Sequence, residues 1–463
     1  MSLVGALDTA VSGLKVAQLQ VQNAANNIAN ASDPNFSRKE AQQAPINLGA
    51  NGGGVQIIGY NRTINTALNR IYIDAITSNG FNTAASDVFA SIKDIYGLST
   101  DTAQLSTRLS SFITAWQSYS AAPESIVRQR EIISAGDSFA QEIRRISAAL
   151  DTLDTDTQKI QTDAIEEVNG LLSRIDNLND QIASATASGE PSGNLEDSRD
   201  AALRDLAKYM NIRSLEGDLG RVRIITPAGF MLLDSTPVTL TFDGTDYETV
   251  QGVNLNNVLT GGSLQSLQQL REDGSPAAAN TDPGREVIRK LRSQLDELAD
   301  SFLTTVGSPT TFAAAYDGAT TATGELASSF FTGTGRTDIA INAALLNGTS
   351  NVKRASADVV VAALNNNGRS YTADGLTVSD TSYSNYVASM LGVIGAAAAT
   401  VEGRADLTQA AEETYKERFA NTIGVNVDEE LVALTRYQNS YTAVARVISV
   451  VNEMFDILDS ISR

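Results

Sequence analysis

The 463-residue chain contains neither cysteine nor histidine. Without cysteine it has no disulfide, no thiolate nucleophile and no zinc site of the cysteine type. Without histidine it lacks the commonest general base, which excludes Ser-His-Asp and Cys-His catalysis. A carboxylate-based enzyme stays open, but most of the 54 Asp and Glu residues are expected at the surface. We predict no catalytic residue, no metal site and no cofactor.

Positive charge and long apolar runs are also scarce. The 34 Lys and Arg residues leave a net charge of -20, which argues against nucleic acid or an anionic membrane as a partner. No apolar run reaches the roughly 18 residues that span a bilayer, so membrane insertion is not expected. The first residues lack the basic segment and apolar core of a cleavable secretion signal. Composition alone therefore suggests a cytoplasmic protein.

Both ends of the chain carry apolar residues at heptad spacing, which predicts two amphipathic helices. The first stripe is rich in alanine and consists of Leu3, Leu7, Ala10, Leu14, Ala17, Val21, Ala24 and Ile28. The second is bulkier and consists of Val427, Leu431, Leu434, Tyr437, Tyr441, Val444, Ile448, Val451, Phe455, Leu458 and Ile461. Asn426 and Glu429 fit a capping box at its start. We predict that the two helices pair, although each could instead pack separately on a globular core.

Between the ends, helical and strand-like patterns alternate. Helices are predicted at residues 62–95, 124–187, 194–210, 284–306 and 385–420, and strands at 55–58, 221–225, 230–233, 238–242 and 359–361. The helix at 124–187 carries two apolar phases, one ending at Ile160 and the other beginning at Val168, which indicates a local change of helix packing. After the first helix, Pro34 and Asn35 fit the centre of a type II turn.

These patterns predict an α+β multidomain fold with paired terminal coiled-coil helices, a long-helix rod and a β-rich outer part inserted in the middle. Residues 1–70 and 425–463 would form the terminal domain. Residues 71–193, 285–307 and 385–424 would form the helical rod domain, and residues 194–284 with 308–384 the outer domain.

Several short motifs resemble those of a known family. Residues 26–30 read Asn-Asn-Ile-Ala-Asn and precede a proline turn, which is similar to the N-terminal signature of flagellar rod, hook and hook-associated proteins. Here Asn35 and Phe36 replace the Gly and Tyr of that signature. Ser37-Arg38, Asn61-Arg62 and residues 194–200 resemble segments of the hook-associated protein 1 family in particular. Residues 424–441 resemble its C-terminal signature.

The resemblance implies a structural, non-enzymatic subunit at the junction between hook and filament, assembled helically with identical subunits. The implied partners are the hook protein, an adjacent junction protein, an export chaperone on the C-terminal helix and the flagellar type III export apparatus. The implied location is outside the cell. The expected assembly interface comprises Leu3, Leu7, Leu14, Val21, Asn26, Asn27, Ile28, Asn30, Pro34, Phe36, Leu431, Leu434, Tyr437, Tyr441, Ile448, Phe455 and Leu458.

Asn23, Asn26, Asn27 and Asn30 lie beside the first apolar stripe. One hypothesis is that their amides bond neighbouring subunits and fix register, as a buried Asn does in a coiled coil. The alternative is a solvated polar face. Three other functions stay open at this point: another axial protein of hook or filament type, a secreted coiled-coil adhesin, and a carboxylate-based hydrolase.

Overall fold

The computed structural model describes residues 3–48, 51–98, 104–271, 286–305 and 311–462. The helices are α1 Leu3–Ala29, α2 Thr66–Tyr96, α3 Gln104–Ser120, α4 Ile126–Ser188, α5 Gly193–Ala207, α6 Gly262–Arg271, α7 Val287–Leu303, α8 Phe312–Asp317, α9 Ala343–Leu346, α10 Ala357–Leu364, α11 Tyr383–Ile423 and α12 Val427–Ser462. The strands are β1 Lys39–Leu48, β2 Asn51–Arg62, β3 Arg213–Glu216, β4 Val222–Ile225, β5 Met231–Leu233, β6 Leu240–Phe242, β7 Tyr247–Thr249, β8 Phe331–Thr332, β9 Ala340–Ile341, β10 Arg369–Ala373 and β11 Leu376–Thr381. Long helices with small sheets between them confirm the predicted α+β class.

The strands form small antiparallel sheets and not one continuous layer. β3, β4 and β5 make a three-stranded sheet, while β1–β2, β6–β7, β8–β9 and β10–β11 are hairpins. The β1–β2 hairpin is the longest, and its register runs from Lys39 opposite Arg62 to Leu48 opposite Asn51. It packs on α1. The terminal part of the molecule is therefore two helices with a hairpin laid against the first.

The two terminal helices pair with each other, as predicted. Glu430 near the start of α12 bonds Arg38 just beyond the end of α1. Further along α12, Val444 faces Gly13, where an added Cβ would lie 3.8 Å from the valine methyl. The helices thus run antiparallel, and small residues of α1 admit larger ones of α12. Asn426 accepts hydrogen bonds from the N–H groups of Asp428 and Glu429, which confirms the predicted cap. A supercoil stays a prediction.

The turn after α1 differs from the prediction. The N–H of Phe36 donates to the carbonyl of Asp33, so a tight turn is present with Pro34 and Asn35 at its centre. Asn35 keeps a negative φ, however, whereas a type II turn needs a positive one at this position. The Asp33 carboxylate accepts the N–H of Asn35 at 2.9 Å. An acidic residue in this first position favours type I, so the type II assignment was wrong.

The body of the protein contains two apolar cores. The first core joins the end of α2 with α3, the first half of α4, α7, residues 312–371 and the start of α11. Its centre is aromatic: the ring centroids of Trp116 and Phe330 lie 5.5 Å apart, and so do those of Phe112 and Phe312. The second core joins the start of α2, the second half of α4, α5, residues 210–264 and the end of α11. Three long helices, α2, α4 and α11, therefore pass through both cores.

The change of apolar phase in α4 marks the boundary between these cores. Leu153 belongs to the first core and Ala164 to the second. Between them Ile160 is 51% exposed, while the polar side chains of Thr157 and Gln161 are buried. The Gln161 amide donates to the Tyr247 hydroxyl and accepts from Arg271, so its burial is satisfied. α4 continues through this polar layer as one unbroken helix of 63 residues.

Some local predictions were incomplete or wrong. The helices α3 and α6 were not predicted. Residues 359–361 form part of α10 and not a strand. Ala357, Val360, Ala363 and Leu364 are the buried members of α10, and their helical spacing of three and four outweighs the β preference of the valines. The two halves of the expected outer domain contribute to different cores, residues 202–264 to the second and 312–371 to the first. The domain boundaries stay a prediction.

One helical stretch within the described residues, Tyr383–Ser460, has the length and composition needed to cross a bilayer. Within this stretch, a segment of 18 residues has a mean hydropathy of 1.4, and 44% of that segment is buried inside the fold. Val387, Met390 and Ile394 in this stretch belong to the first core. Core helices of proteins without a membrane segment have the same property, so the finding gives little support to a membrane span.

Candidate assembly surface and the ion-pair cluster beside it

The structure places every residue of the expected interface on α1, on α12 or in the turn between α1 and β1. Asn27 and Phe36 are buried. The half-buried residues are Leu3, Leu7, Leu14, Val21, Ile28, Asn30, Leu434, Tyr437, Ile448 and Phe455. The exposed residues are Asn26, Pro34, Leu431, Tyr441 and Leu458. The helix pair is thus only partly closed by its own contacts, and contact of these residues with a neighbouring subunit stays a prediction.

The asparagines beside the first stripe divide into two kinds. Asn27 is 1% exposed, and its side-chain amide forms two hydrogen bonds with the backbone of β1. It accepts from the N–H of Lys39 at 3.2 Å and donates to the Lys39 carbonyl at 2.9 Å. Asn23 donates to the same carbonyl at 2.7 Å. Asn30 donates to the carbonyl of Asn26, whose own side chain is exposed. Asn27 therefore anchors the hairpin within the subunit, and Asn26 is the asparagine that faces outward.

A second apolar stripe on α12 was not part of the expected interface. Val447, Val450, Met454 and Ile457 repeat at steps of three, four and three, and all four are exposed, Val450 by 47% and Ile457 by 59%. We call these four residues the outer stripe. The buried contacts of α12 lie on a neighbouring face, where Val451 is covered. The heptad spacing was visible in the sequence, but the bulkier stripe at Ile448 and Phe455 obscured it.

At the base of the hairpin, five charged side chains form one largely buried group, which we call the ion-pair cluster: Lys39, Arg62, Glu196, Asp197 and Asp200. Asp197 is its centre, because Lys39 Nζ lies 2.6 Å and Arg62 Nη1 2.7 Å from its two oxygens. Arg62 Nε also lies 2.7 Å from Glu196 Oε2, and Arg62 Nη1 lies 3.0 Å from Asp200 Oδ2. The cluster joins β1 and β2 to the first turns of α5.

Neighbouring groups complete the cluster. The Ser37 hydroxyl donates to Asp197 at 2.6 Å, and the Lys39 ammonium lies 3.6 Å from the centroid of the Phe36 ring. A Cβ at Gly193 would come within 2.8 Å of the Lys39 side chain, so a glycine here admits the lysine. Arg204 donates to the Asn35 amide oxygen at 2.8 Å. The turn after α1 is therefore fixed against α5 by side chains from both segments.

Burial and charge act in opposite directions on the two cations. Burial lowers the pKa of Lys39 more than the hydrogen bond and charge of Asp197 raise it, so its pKa is lowered. Burial also lowers the pKa of Arg62, but the charge of Asp200, Glu196 and Asp197 outweighs it and the pKa is raised. The carboxylates therefore outweigh burial in the pKa of Arg62, whereas burial and the charge of Arg62 together outweigh them in the pKa of Lys39.

The sequence motifs noted separately meet at this cluster. Ser37 and Arg62 both contact Asp197, although about 160 and 135 residues separate them from it in the chain. Arg38 links the cluster to the C-terminal segment, since its Nε donates to Glu430 at 2.6 Å and its backbone N–H to the carbonyl of Ile423. Sequence reasoning found these motifs but could not show that they are in contact.

Three acidic residues, Asp243 and Asp246 in the β6–β7 turn and Glu248 in β7, have carboxylate oxygens within 4.8 Å of one another. Hydrogen bonds from the N–H groups of Asp246 and Thr245 lower the pKa of Asp243. The turn itself explains this arrangement, and we assign no metal ion to it.

The chain was compared with known proteins. Residues 89–325 match the family described as flagellar hook-associated protein FlgK helical domain, and residues 417–461 match the flagellar basal body rod FlgEFG protein C-terminal family. Flagellar hook-associated protein 1 of Bacillus subtilis is 23% identical over 97% of this chain and 96% of its own length. The protein of that name from Escherichia coli is 25% identical over 64% of this chain, and the match spans 55% of the relative's length.

Among solved structures, the flagellar hook junction protein FlgK of Burkholderia pseudomallei matches with a TM-score of 0.47 and 18% identity, over 58% of this chain and 46% of that chain. The family match covers about half of this chain, from within α2 to just beyond α8. It includes the long helix α4 and the strands β3 to β7 that follow it. The chain belongs to the flagellar hook-associated protein FlgK family, whose members are structural proteins of the flagellum and not enzymes.

Proposed function

We propose that this protein is a structural subunit that joins hook to filament by helical self-assembly of its terminal helices. The observation that carries the proposal is the outer stripe, an apolar helix face that the rest of the described chain leaves uncovered. Contiguous exposed apolar residues on a folded protein mark interaction sites. Repeated contact between identical subunits by a rotation and a rise gives a tube.

The size of the outer stripe is sufficient for such a contact. Complete burial of an aliphatic side chain of this size contributes about 1.5–3 kcal/mol, so covering the exposed half of four side chains contributes about 3–6 kcal/mol per contact. Val4 and Val11 of α1 are also exposed and lie seven residues apart, which gives a second apolar surface for neighbours. Many repeats of a contact of this strength support a stable assembly.

The relatives named hook-associated protein 1 support the same assignment, and the remaining partners follow from it. We propose contacts with the hook protein and an adjacent junction protein, passage through the flagellar type III export apparatus, and a chaperone that covers α12 before export. An uncovered α12 would expose both of its apolar faces, which favours aggregation. The protein would then reside outside the cell, at the hook-filament junction.

The test introduces lysines into the outer stripe of the full chain, in the bacterium that carries it. Val450→Lys with Ile457→Lys places two charges in the proposed contact, seven residues apart. Thr442→Lys with Ser449→Lys is the matched control, since both residues are exposed, lie seven apart and belong to the polar face. We expect both proteins in the culture medium but filaments only with the control. Normal filaments with the Val450/Ile457 variant would refute the proposal.

A further inference from the structure

The terminal helix pair and the body are joined by two chain connections. Residues 63–65 lead from β2 into α2, and residues 424–426 lead from α11 into α12. Both connections pass Arg38, whose carbonyl accepts the N–H of Thr63 and whose N–H donates to the carbonyl of Ile423. These two connections alone would leave the terminal pair free to tilt about that point.

The ion-pair cluster lies beside that point and adds an attachment from the hairpin to α5. Lys39 and Arg62 belong to the hairpin of the terminal part, while Asp197 and Asp200 belong to α5. α5 is fixed in the body, because Ala202, Leu203 and Leu206 lie in the second core. The cluster therefore connects the two parts of the protein through side chains alone.

We infer that the ion-pair cluster sets the angle between the terminal helix pair and the body. The cluster is specific in direction, because Arg62 contacts three carboxylates and the two oxygens of Asp197 each have a different cation. It is also shielded, since the side chains of Lys39 and Arg62 are less than one tenth exposed. Tilting the terminal pair separates these charges without unfolding either core, so their pairing favours one angle. This inference concerns the single subunit and does not depend on the proposed function.

The absence of cysteine allows a direct test, because two introduced cysteines are the only labelling sites in the full chain. Thr442→Cys on α12 and Ser173→Cys on α4 place spin labels on exposed residues of the two parts. The distance distribution between the labels measures the angle and its spread. We expect a narrow distribution that molar salt leaves unchanged, because the charges are buried.

Asp197→Asn should broaden the distribution by about twofold, because it leaves two buried cations with weakened partners. Lys39→Met is the second variant and removes one cation while Arg62 keeps its carboxylates; it should broaden the distribution less. Asp154→Asn is the matched control, a largely buried carboxylate that bonds Arg271 inside the body.

Circular dichroism establishes that each variant keeps its helices. Three results would overturn the inference: a broad distribution in the parent protein, an unchanged distribution in both cluster variants, or equal broadening in the Asp154→Asn control. If Asp197→Asn loses its helical signal, the test rests on Lys39→Met, whose distance distribution is compared with those of the parent protein and the Asp154→Asn control.

Discussion

Gly54 is a position where the hairpin packs closely on α1, and its replacement by alanine tests the terminal fold. Its φ is +102°, a conformation that a residue with a Cβ adopts at a cost of roughly 1–3 kcal/mol. A Cβ at this position would lie 2.1 Å from the Ser12 hydroxyl oxygen. Ser12 would have to turn away and lose the hydrogen bond it accepts from the N–H of Val55 at 3.1 Å, which contributes about 0.5–1.5 kcal/mol. The expected total for Gly54→Ala is about 1.5–4.5 kcal/mol.

Hydrogen exchange followed by mass spectrometry measures this effect where it occurs, in the amides of β1 and β2. A loss of about 1.5–4.5 kcal/mol raises the equilibrium constant for opening the hairpin by roughly 10- to 2,000-fold. Gly59→Ala is the matched control in the same strand, because a Cβ there meets nothing within 4 Å. We expect it to change exchange by less than about threefold.

A double variant separates the two causes. Ser12→Ala alone removes the hydrogen bond from Val55 and the bond that the hydroxyl donates to the Thr9 carbonyl. In the double variant, Ser12→Ala with Gly54→Ala, the loss of the Val55 hydrogen bond occurs once. The free-energy losses of the two single variants should therefore add up to about 0.5–1.5 kcal/mol more than the loss in the double variant. Equal exchange in the Gly54→Ala and Gly59→Ala proteins would contradict the docking of the hairpin on α1.

Three further outcomes are expected. Asn27→Ala should destabilise the terminal part by about 1–3 kcal/mol in hydrogen exchange, because the buried N–H of Lys39 loses its side-chain acceptor and its carbonyl keeps only the Asn23 amide. Asp154→Ala should lower the free energy of unfolding in urea by about 2–4 kcal/mol, because it leaves the largely buried Arg271 with one partner fewer. Burial raises the pKa of Tyr119 to about 12 from 10.0. The unfolded chain then ionises first, so the free energy of unfolding should hold below pH 10 and fall above it, and urea titrations of Tyr119→Phe should show a smaller fall.

The terminal helices could be predicted because their signal is local and repeated. Residues such as Leu14 and Ile448 lie at heptad spacing over many turns, and neither stripe had a partner nearby in the sequence. The polar layer in α4 was visible for the same reason, as a change of phase after Ile160. The Asn426 cap follows from short-range hydrogen bonds that depend on residue type alone.

The ion-pair cluster could not be predicted, because its members come from three distant segments. Residues 194–200 resemble a family segment, but nothing in them indicates which acid is buried, and only the fold brings Ser37 and Lys39 to Asp197. The helix α10 was missed for a related reason: burial on one face of the first core decides its form, against the preference of its valines. Long-range contacts thus decide what local preference leaves open.

The passage of α2, α4 and α11 through both cores has a mechanical consequence. α4 alone is about 95 Å long at 1.5 Å per residue. α2 packs against both α4 and α11, so the three helices support one another side by side. A single helix bends when hydrogen bonds on one side lengthen slightly. Bending three helices that are packed side by side also requires them to slide past one another. The side chains packed between them resist that shear. A load applied at one end of the body is therefore carried to the other end with little flexing between the two cores.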